Sequence, residues 1–277
     1  MATTASPTTL ETLFLIRPEG RIGYEVAGHG PLVVLVPGMG DLRSTYRFLA
    51  PALVAAGFRV ASVDLRGHGE SDTTFTTYGD AETSCDVIAL IEELGGPAVV
   101  VGNSMSAGSA VIAAAHRPEL ISGLVLVGPF VRNGAVSAMQ RIFLRVAMAP
   151  VWAATTWKAY MPKLYAGQRP VDFDEHRGHV VASLRRHGYA KAFSLTTRAD
   201  HDAAEACLPM VSAPTLVVMG AQDPDFPDPA AEASWVADAL NGQVAMVADA
   251  GHYPHAQQPG VVSPAVVTFL NAMNARA

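Results

Sequence analysis

The sequence predicts an α/β fold: a mainly parallel sheet with helices on both faces, interrupted once by a helical insertion. Three observations carry that reading. Apolar runs alternate with helical patterns from Leu32 to Val127, and again from Thr215 to the end. The runs LVVLV, AVVV and LVLV are apolar throughout, as strands covered on both faces must be. Between Val131 and Met210 the rhythm stops and no strand pattern occurs. Regular strand–helix alternation makes neighbouring strands parallel, because each helix returns the chain to the edge of the sheet where the last strand began.

The elements follow in order. A polar leader, Thr3 to Thr9, precedes two β-like runs, Thr12 to Arg17 and Arg21 to Val26, with Pro18-Glu19-Gly20 as a hairpin turn. Leu32 to Val36 is a strand. A glycine-rich turn leads to a helix over Leu42 to Ala56, stopped by Gly57. Arg59 to Val63 is the next strand. Asp80 to Leu94 is a helix, with Asp80 as N-cap and Gly95 as its stop. Ala98 to Val101 is a strand, Met105 to His116 a small-residue helix, and Leu124 to Val127 a strand. The insertion, rich in Arg, Ala and aromatic residues, reads as several short helices. Then come a strand (Thr215 to Met219), a helix (Ala230 to Leu240), a strand (Gln243 to Val247) and a helix running to Ala275. The expected division is a core of residues 1–130 and 211–277 and an insertion of residues 131–210.

Composition narrows the function. Of 277 residues, 50% are hydrophobic and 16% charged, enough for one large core, which excludes a disordered chain. Lys and Arg number 19 against 25 Asp and Glu, so no basic surface awaits a nucleic acid. The two cysteines, Cys85 and Cys207, form no CxxC pair, which argues against a disulfide scaffold and a thiolate zinc site. No basic leader with an apolar core begins the chain. The longest apolar stretch, Ala98 to Ala115, is broken by Gly102, Asn103, Ser104 and Gly108. It falls short of the roughly 18 uninterrupted apolar residues of a span. The expectation is a cytoplasmic protein with no membrane partner.

Three turns carry chemistry. In Val101-Gly102-Asn103-Ser104-Met105-Ser106 a buried strand runs straight into a helix, with small residues two before and two after Ser104. A nucleophile elbow needs this arrangement, because strand and helix must approach closely around a strained serine. Ser106 stands where the motif more often has Gly. Gly251-His252-Tyr253-Pro254 follows the last strand, and Asp223 follows the strand before it, giving the chain order Ser…Asp…His. Asp223 lies nearest the strand end and is the expected acid. Asp225 is the alternative, and Asp225 and Asp228 otherwise read as turn or helix-cap residues. Pro37-Gly38-Met39-Gly40 follows an early strand. The Met39 and Met105 backbone N–H groups are the expected donors to a developing oxyanion. A dinucleotide fingerprint, Gly38-x-Gly40 with Asp64 ending the next strand, is incomplete because Arg43 holds the third glycine position.

With these segments and Asp64-Leu65-Arg66-Gly67-His68-Gly69-Glu70-Ser71, the sequence resembles the α/β-hydrolase family over nearly its whole length. The resemblance implies an eight-stranded, mostly parallel sheet with a helical cap inserted after the sixth strand, where residues 131–210 fall. It also implies that Asp64, Arg66 and His68 shape the active-site rim structurally.

The expected function is a serine hydrolase acting on a carboxylic ester or lactone: Ser104 as nucleophile, His252 as base, Asp223 as its orienting acid, no cofactor and no metal. The partner is a small, partly apolar substrate, with Phe130, Trp152 and Trp157 as candidate pocket residues. Perhydrolysis and carbon–carbon bond hydrolysis would use the same three residues. A ligand receptor or regulator is the alternative of a different class, because relatives of that kind carry a Ser-x-Ser elbow like Ser104-Met105-Ser106. The remaining groups read plainly. His252 is taken as an exposed loop residue. His176 and His179 read as a solvated face, and His116, His187, His201 and His255 as surface or packing residues, with His255 the rival base. Met139, Met148 and Met161 read as core, with some pocket lining.

Overall fold

The computed structural model describes residues 10–134 and 138–275. The leader Thr3 to Thr9 lies outside the described residues. Eight strands form one sheet in the order β1-β2-β4-β3-β5-β6-β7-β8. They are β1 (Leu13–Arg17), β2 (Gly20–Ala27), β3 (Leu32–Val36), β4 (Arg59–Val63), β5 (Ala98–Asn103), β6 (Ile121–Val127), β7 (Thr215–Gly220) and β8 (Gln243–Val247). The pairs β1–β2 and β2–β4 are antiparallel, and every pair from β4 across to β8 is parallel.

Helices cover both faces. The chain runs through α1 (Leu49–Ala55), α2 (Asp80–Leu94), α3 (Ser106–His116), α4 (Ala138–Ala147), α5 (Ala153–Leu164), α6 (Phe173–Leu184), α7 (Tyr189–Thr196), α8 (Asp202–Cys207), α9 (Pro229–Ala239), α10 (Pro254–Gln257) and α11 (Pro259–Asn274). Side chains of a strand alternate in direction, so each apolar strand feeds two cores. Val34, Val36, Val100, Leu124 and Val217 pack with Val87, Leu90, Ala110 and Val236 of α2, α3 and α9. Val33, Leu35, Val99, Val125 and Val218 pack with Leu49, Leu53, Val262, Val266 and Phe269 of α1 and α11.

Residues between β6 and β7 form helices α4 to α8, with a third apolar cluster of their own around Trp157, Met161, Leu164, Tyr165, Phe173 and Phe193. This segment rests on loops that follow the carboxyl ends of the parallel strands. The Trp157 indole N–H donates to the Gly40 carbonyl after β3 at 2.7 Å, and the His252 N–H after β8 donates to the Leu164 carbonyl at 2.7 Å.

Four expectations need correction. The helix expected over Leu42 to Ala56 is a short 3₁₀ turn, Arg43–Tyr46, followed by α1. Pro51 has no N–H to bond back and fits best in a first helical turn, which favours a helix start just before it. Asp80 is not the N-cap of α2. That place belongs to Gly79 at φ 140°, while the Asp80 carboxylate accepts from His201 Nδ1 at 2.8 Å. Met148 and Met161 are buried, but Met139 is 80% exposed. His176 is not solvated: it is buried, with Nε2 2.8 Å from Asp41 Oδ1.

Candidate active site

The parallel register sets the site. Val36 lies opposite Gly102, Asn103 opposite Val127, and Gly220 opposite Val247. The turns after β3, β5, β6, β7 and β8 therefore emerge at one sheet edge. The chain leaves β3 towards β4 on one side and returns through β5 on the other, so a crevice opens where the two diverge.

Ser104 occupies that crevice, between β5 and α3. Its φ is 57°, one of two positive values among non-glycine residues described. For an L residue this costs roughly 1–2 kcal/mol. Three backbone hydrogen bonds offset it. Ser104 N–H donates to Val127 O at 2.9 Å, and Ser104 O accepts from Ala107 N at 3.0 Å and Phe130 N at 3.2 Å. Each contributes about 1 kcal/mol, so the turn is held on balance. Gly102 makes it possible, since a Cβ there would stand 2.4 Å from the Ser106 carbonyl oxygen. Ser106 needs no such clearance: its hydroxyl donates to the Pro37 carbonyl at 2.6 Å, tying α3 to the loop after β3.

That loop carries Met39. A Cβ on Gly38 would lie 2.9 Å from Ser104 Cβ, so only glycine lets the backbone come this close. Gly40 N–H donates to His68 Nε2 at 3.0 Å, while His68 Nδ1 donates to the Arg66 carbonyl at 2.8 Å. Burial pushes the His68 pKa down, which keeps the ring neutral and able to accept. Arg66 in turn holds Asp86 through two bonds of 2.6 and 2.9 Å, and Asp64 accepts from the Arg43 and Glu70 backbone N–H groups. Asp64, Arg66 and His68 thus build the scaffold under Met39.

Asp223 and His252 meet. His252 Nδ1 donates to Asp223 Oδ2 at 2.7 Å, and the other carboxylate oxygen accepts from Asp225 N at 3.0 Å. His252 is 2% exposed, so its placement on an exposed loop is corrected. The helix α10 and the aromatic rings of Tyr253 and Phe130, 5.2 and 5.9 Å away, enclose it. Burial pulls the His252 pKa down, but the Asp223 charge and hydrogen bond, with a further push from Asp225, outweigh it and hold it at about 9. His255, the rival base, is buried against Thr45 Oγ1 at 3.1 Å, and burial drives its pKa down to about 3. It has no carboxylate on its ring.

Loop 128–130 joins Ser104 to this pair, since the Phe130 N–H bonds Ser104 and its ring faces His252. Among the described residues no hydrogen bond joins Ser104 Oγ to His252 Nε2; such contacts tighten when substrate arrives. Trp157 is buried and holds Gly40 from above. Trp152 is not brought to Ser104: it is half-exposed, with its indole N–H on the Val146 carbonyl at 2.7 Å.

Three contributors escaped the sequence reading. At Gly128, φ 52°, a Cβ would stand 3.1 Å from His252 Nδ1 and 3.2 Å from Asp223 Oδ2. A glycine directly after the sixth strand was the available signal. Asn103 donates to Val127 O at 3.0 Å and to His252 O at 3.3 Å, bracing the histidine loop against β5 and β6. Tyr160 on α5 donates to Asp225 Oδ1 at 2.7 Å, and Asp225 Oδ2 lies 3.8 Å from His252 Nδ1. No spacing in the sequence announces that pair.

Asp223, Asp225 and His252 also form a group, among the described residues, whose ligand-type atoms lie within 4.8 Å of one another. The 2.7 Å Nδ1–Oδ2 separation is that of a charge-assisted hydrogen bond. A metal would have to take the same lone pair, so the geometry matches an acid–base pair. His176, on Asp41, and His179, exposed, do not converge.

A model of the alpha/beta hydrolase family matches residues 33–265. The chain belongs to that family. The 2-(acetamidomethylene)succinate hydrolase of Mesorhizobium japonicum is 26% identical over 270 residues, covering 91% of this chain and 93% of its own. The 3-oxoadipate enol-lactonase 2 of Acinetobacter baylyi is 27% identical over 221 residues, 78% and 79% of the two chains. The crystal structure of a bromoperoxidase from Bacillus anthracis superposes with a TM-score of 0.83 at 20% identity, covering 94% of this chain and 100% of that one. That last likeness shows the fold. This alpha/beta hydrolase is therefore an enzyme whose relatives include hydrolases of small molecules. No helix among its described residues is long and apolar enough to cross a membrane.

Proposed function

We propose that this alpha/beta hydrolase is a serine hydrolase that cleaves a carboxylic ester or lactone through an acyl-enzyme on Ser104. The observation that carries the reading is the strained Ser104, φ 57°, at the sheet edge that also holds the 2.7 Å His252–Asp223 pair. Ser104 Oγ attacks the acyl carbon while His252 Nε2 takes its proton. Asp223 keeps the other ring proton on Nδ1 and stabilises the imidazolium. The carbonyl oxygen becomes an oxyanion between the Met39 and Met105 N–H groups. Collapse expels the alkoxide, which takes the proton from His252. Water, deprotonated by the same ring, then releases the acid. Helices α4 to α8 act as a cap that limits water around the reacting bond.

The lactonase relative supports keeping lactones in the substrate class. Ser106 bears on the receptor alternative: its hydroxyl is occupied by the Pro37 carbonyl at 2.6 Å, so the second serine has a structural role. A panel of short esters, lactones and β-diketones tests the proposal. Repeated turnover on at least one ester or lactone is expected. A single slow turnover on all of them would count for a receptor, and turnover confined to β-diketones for carbon–carbon hydrolysis.

The base also sets a pH dependence. Only neutral His252 accepts the serine proton, so kcat/KM should climb as pH rises through the imidazolium pKa of about 9. The Asp225→Asn variant removes one negative charge facing the ring while leaving an oxygen to accept from Tyr160. Its rising limb is expected at lower pH. An unmoved limb would show that Asp225 does not act on the base.

A further inference from the structure

Residues far along the chain close on the turn that carries Met39. Residues 38–41 form a tight turn: the Asp41 N–H donates to the Gly38 carbonyl at 3.3 Å, and Gly40, third in the turn, has φ 73°. The Gly38 carbonyl and the Met39 N–H belong to one planar peptide unit, so whatever fixes the first fixes the direction of the second. Asp41 is therefore the latch of the turn. Its carboxylate is fully buried, and one oxygen accepts from the Leu42 N–H and from His176 Nε2, each at 2.8 Å.

His176 comes from α6, in the segment between β6 and β7. That helix is seated on the same stretch of chain, since Arg47 donates to Asp172, the residue before α6, through bonds of 2.6 and 2.7 Å. From α5 the Trp157 indole N–H holds the Gly40 carbonyl at 2.7 Å, and a Cβ on Gly40 would lie 2.6 Å from both Trp157 and Phe193. A buried carboxylate is costly unless it is paired. Burial pushes the Asp41 pKa up, but the His176 ring and the Leu42 N–H outweigh it and hold the group below the usual carboxylate value. Without that ring the carboxylate would have to leave its place to reach water, and the Asp41 N–H would move with it.

We propose that His176, acting through Asp41, is a positioning residue that aims the Met39 N–H at the developing oxyanion. It touches no reacting atom itself. An oxyanion donor has its full effect only when it points at the place the charge will occupy, and a displacement of about 1 Å can cost on the order of 100-fold in rate. Helix α6 is then part of what assembles the oxyanion hole, beyond any part it has in limiting water. The role rests on the serine-hydrolase reading; the hold of His176 on the turn does not. A contact that only packs α6 onto the core would behave differently: its loss would lower stability and leave kcat unchanged in the folded protein.

His176→Phe and His176→Gln in the full chain separate the two. Phe keeps a ring and removes the donor, whereas Gln keeps a donor. In His176→Phe, kcat on the best ester of the panel should fall roughly 10- to 100-fold, with KM changed by less than about twofold. Hydrogen–deuterium exchange over residues 38–42 should quicken, because the Gly38–Asp41 and Asp41–Leu42 bonds protect those amides. His176→Gln should recover most of both. Where His176→Phe does not fold by circular dichroism, His176→Asn, whose shorter amide falls short of Asp41, is read in its place. A folded variant without the donor but with wild-type kcat would overturn the proposal. So would unchanged exchange over 38–42, or a Gln variant as impaired as Phe in both measurements. Faster exchange in His176→Phe, with no ester turnover by the wild-type protein, would leave the hold on the turn standing and remove the reaction reading alone.

Discussion

Replacing Ser104 by Ala is expected to lower ester kcat by about 10⁴ to 10⁶-fold, the range seen when a serine nucleophile is removed and only binding and oxyanion contacts remain. Stability should hold or rise slightly, because the hydroxyl is a minor part of a turn held by its backbone bonds to Val127, Ala107 and Phe130. The φ of 57° persists in the variant, so a folded, inactive protein is the outcome to look for. Thermal unfolding and steady-state turnover on the best ester of the panel measure both. A folded variant with wild-type turnover would remove Ser104 from the mechanism.

The second large effect separates two carboxylates that sit in one turn. Asp223→Asn should cost about 10⁴-fold in kcat, as when the orienting acid of such a site is lost and the wrong imidazole tautomer results. Asp223 accepts the Nδ1–H hydrogen bond at 2.7 Å, whereas Asp225 stands at 3.8 Å and accepts from Tyr160 with its other oxygen. Asp225→Asn should therefore keep most activity above its rising limb. Full pH profiles of both variants provide the comparison. If Asp225→Asn is the one that loses 10⁴-fold at every pH, with Asp223→Asn nearly intact, the acid is misassigned.

How much of this was legible in the sequence follows from which forces act locally. Strands β3 and β4 and helix α2 fall where the apolar runs and the Gly95 stop place them, because a buried strand and a left-handed glycine leave direct marks. Ser104, Asp223 and His252 were legible because each follows a strand end, and parallel strands share one edge. What failed was anything decided by a partner far along the chain. Asp80 looks like a helix cap until His201, 121 residues away, takes its carboxylate. His176 looks solvated until Asp41, 135 residues away, receives its ring. Met139 fits a core pattern, and only its exposure in the fold shows that it faces outwards. The constraint at Gly128 is of the same kind, since the space it leaves is filled by two loops that meet only in the fold.

Peptide mapping by mass spectrometry after reaction with a fluorophosphonate tests the central claim most directly. The account predicts one adduct, on the peptide containing Ser104, with labelling abolished in Ser104→Ala and sharply slowed in His252→Ala. Because His252 is buried, with its ring on Asp223, the His252→Ala protein is compared only after its fold is confirmed by circular dichroism. An adduct on another residue, or continued ester turnover with Ser104 unlabelled, would contradict the account.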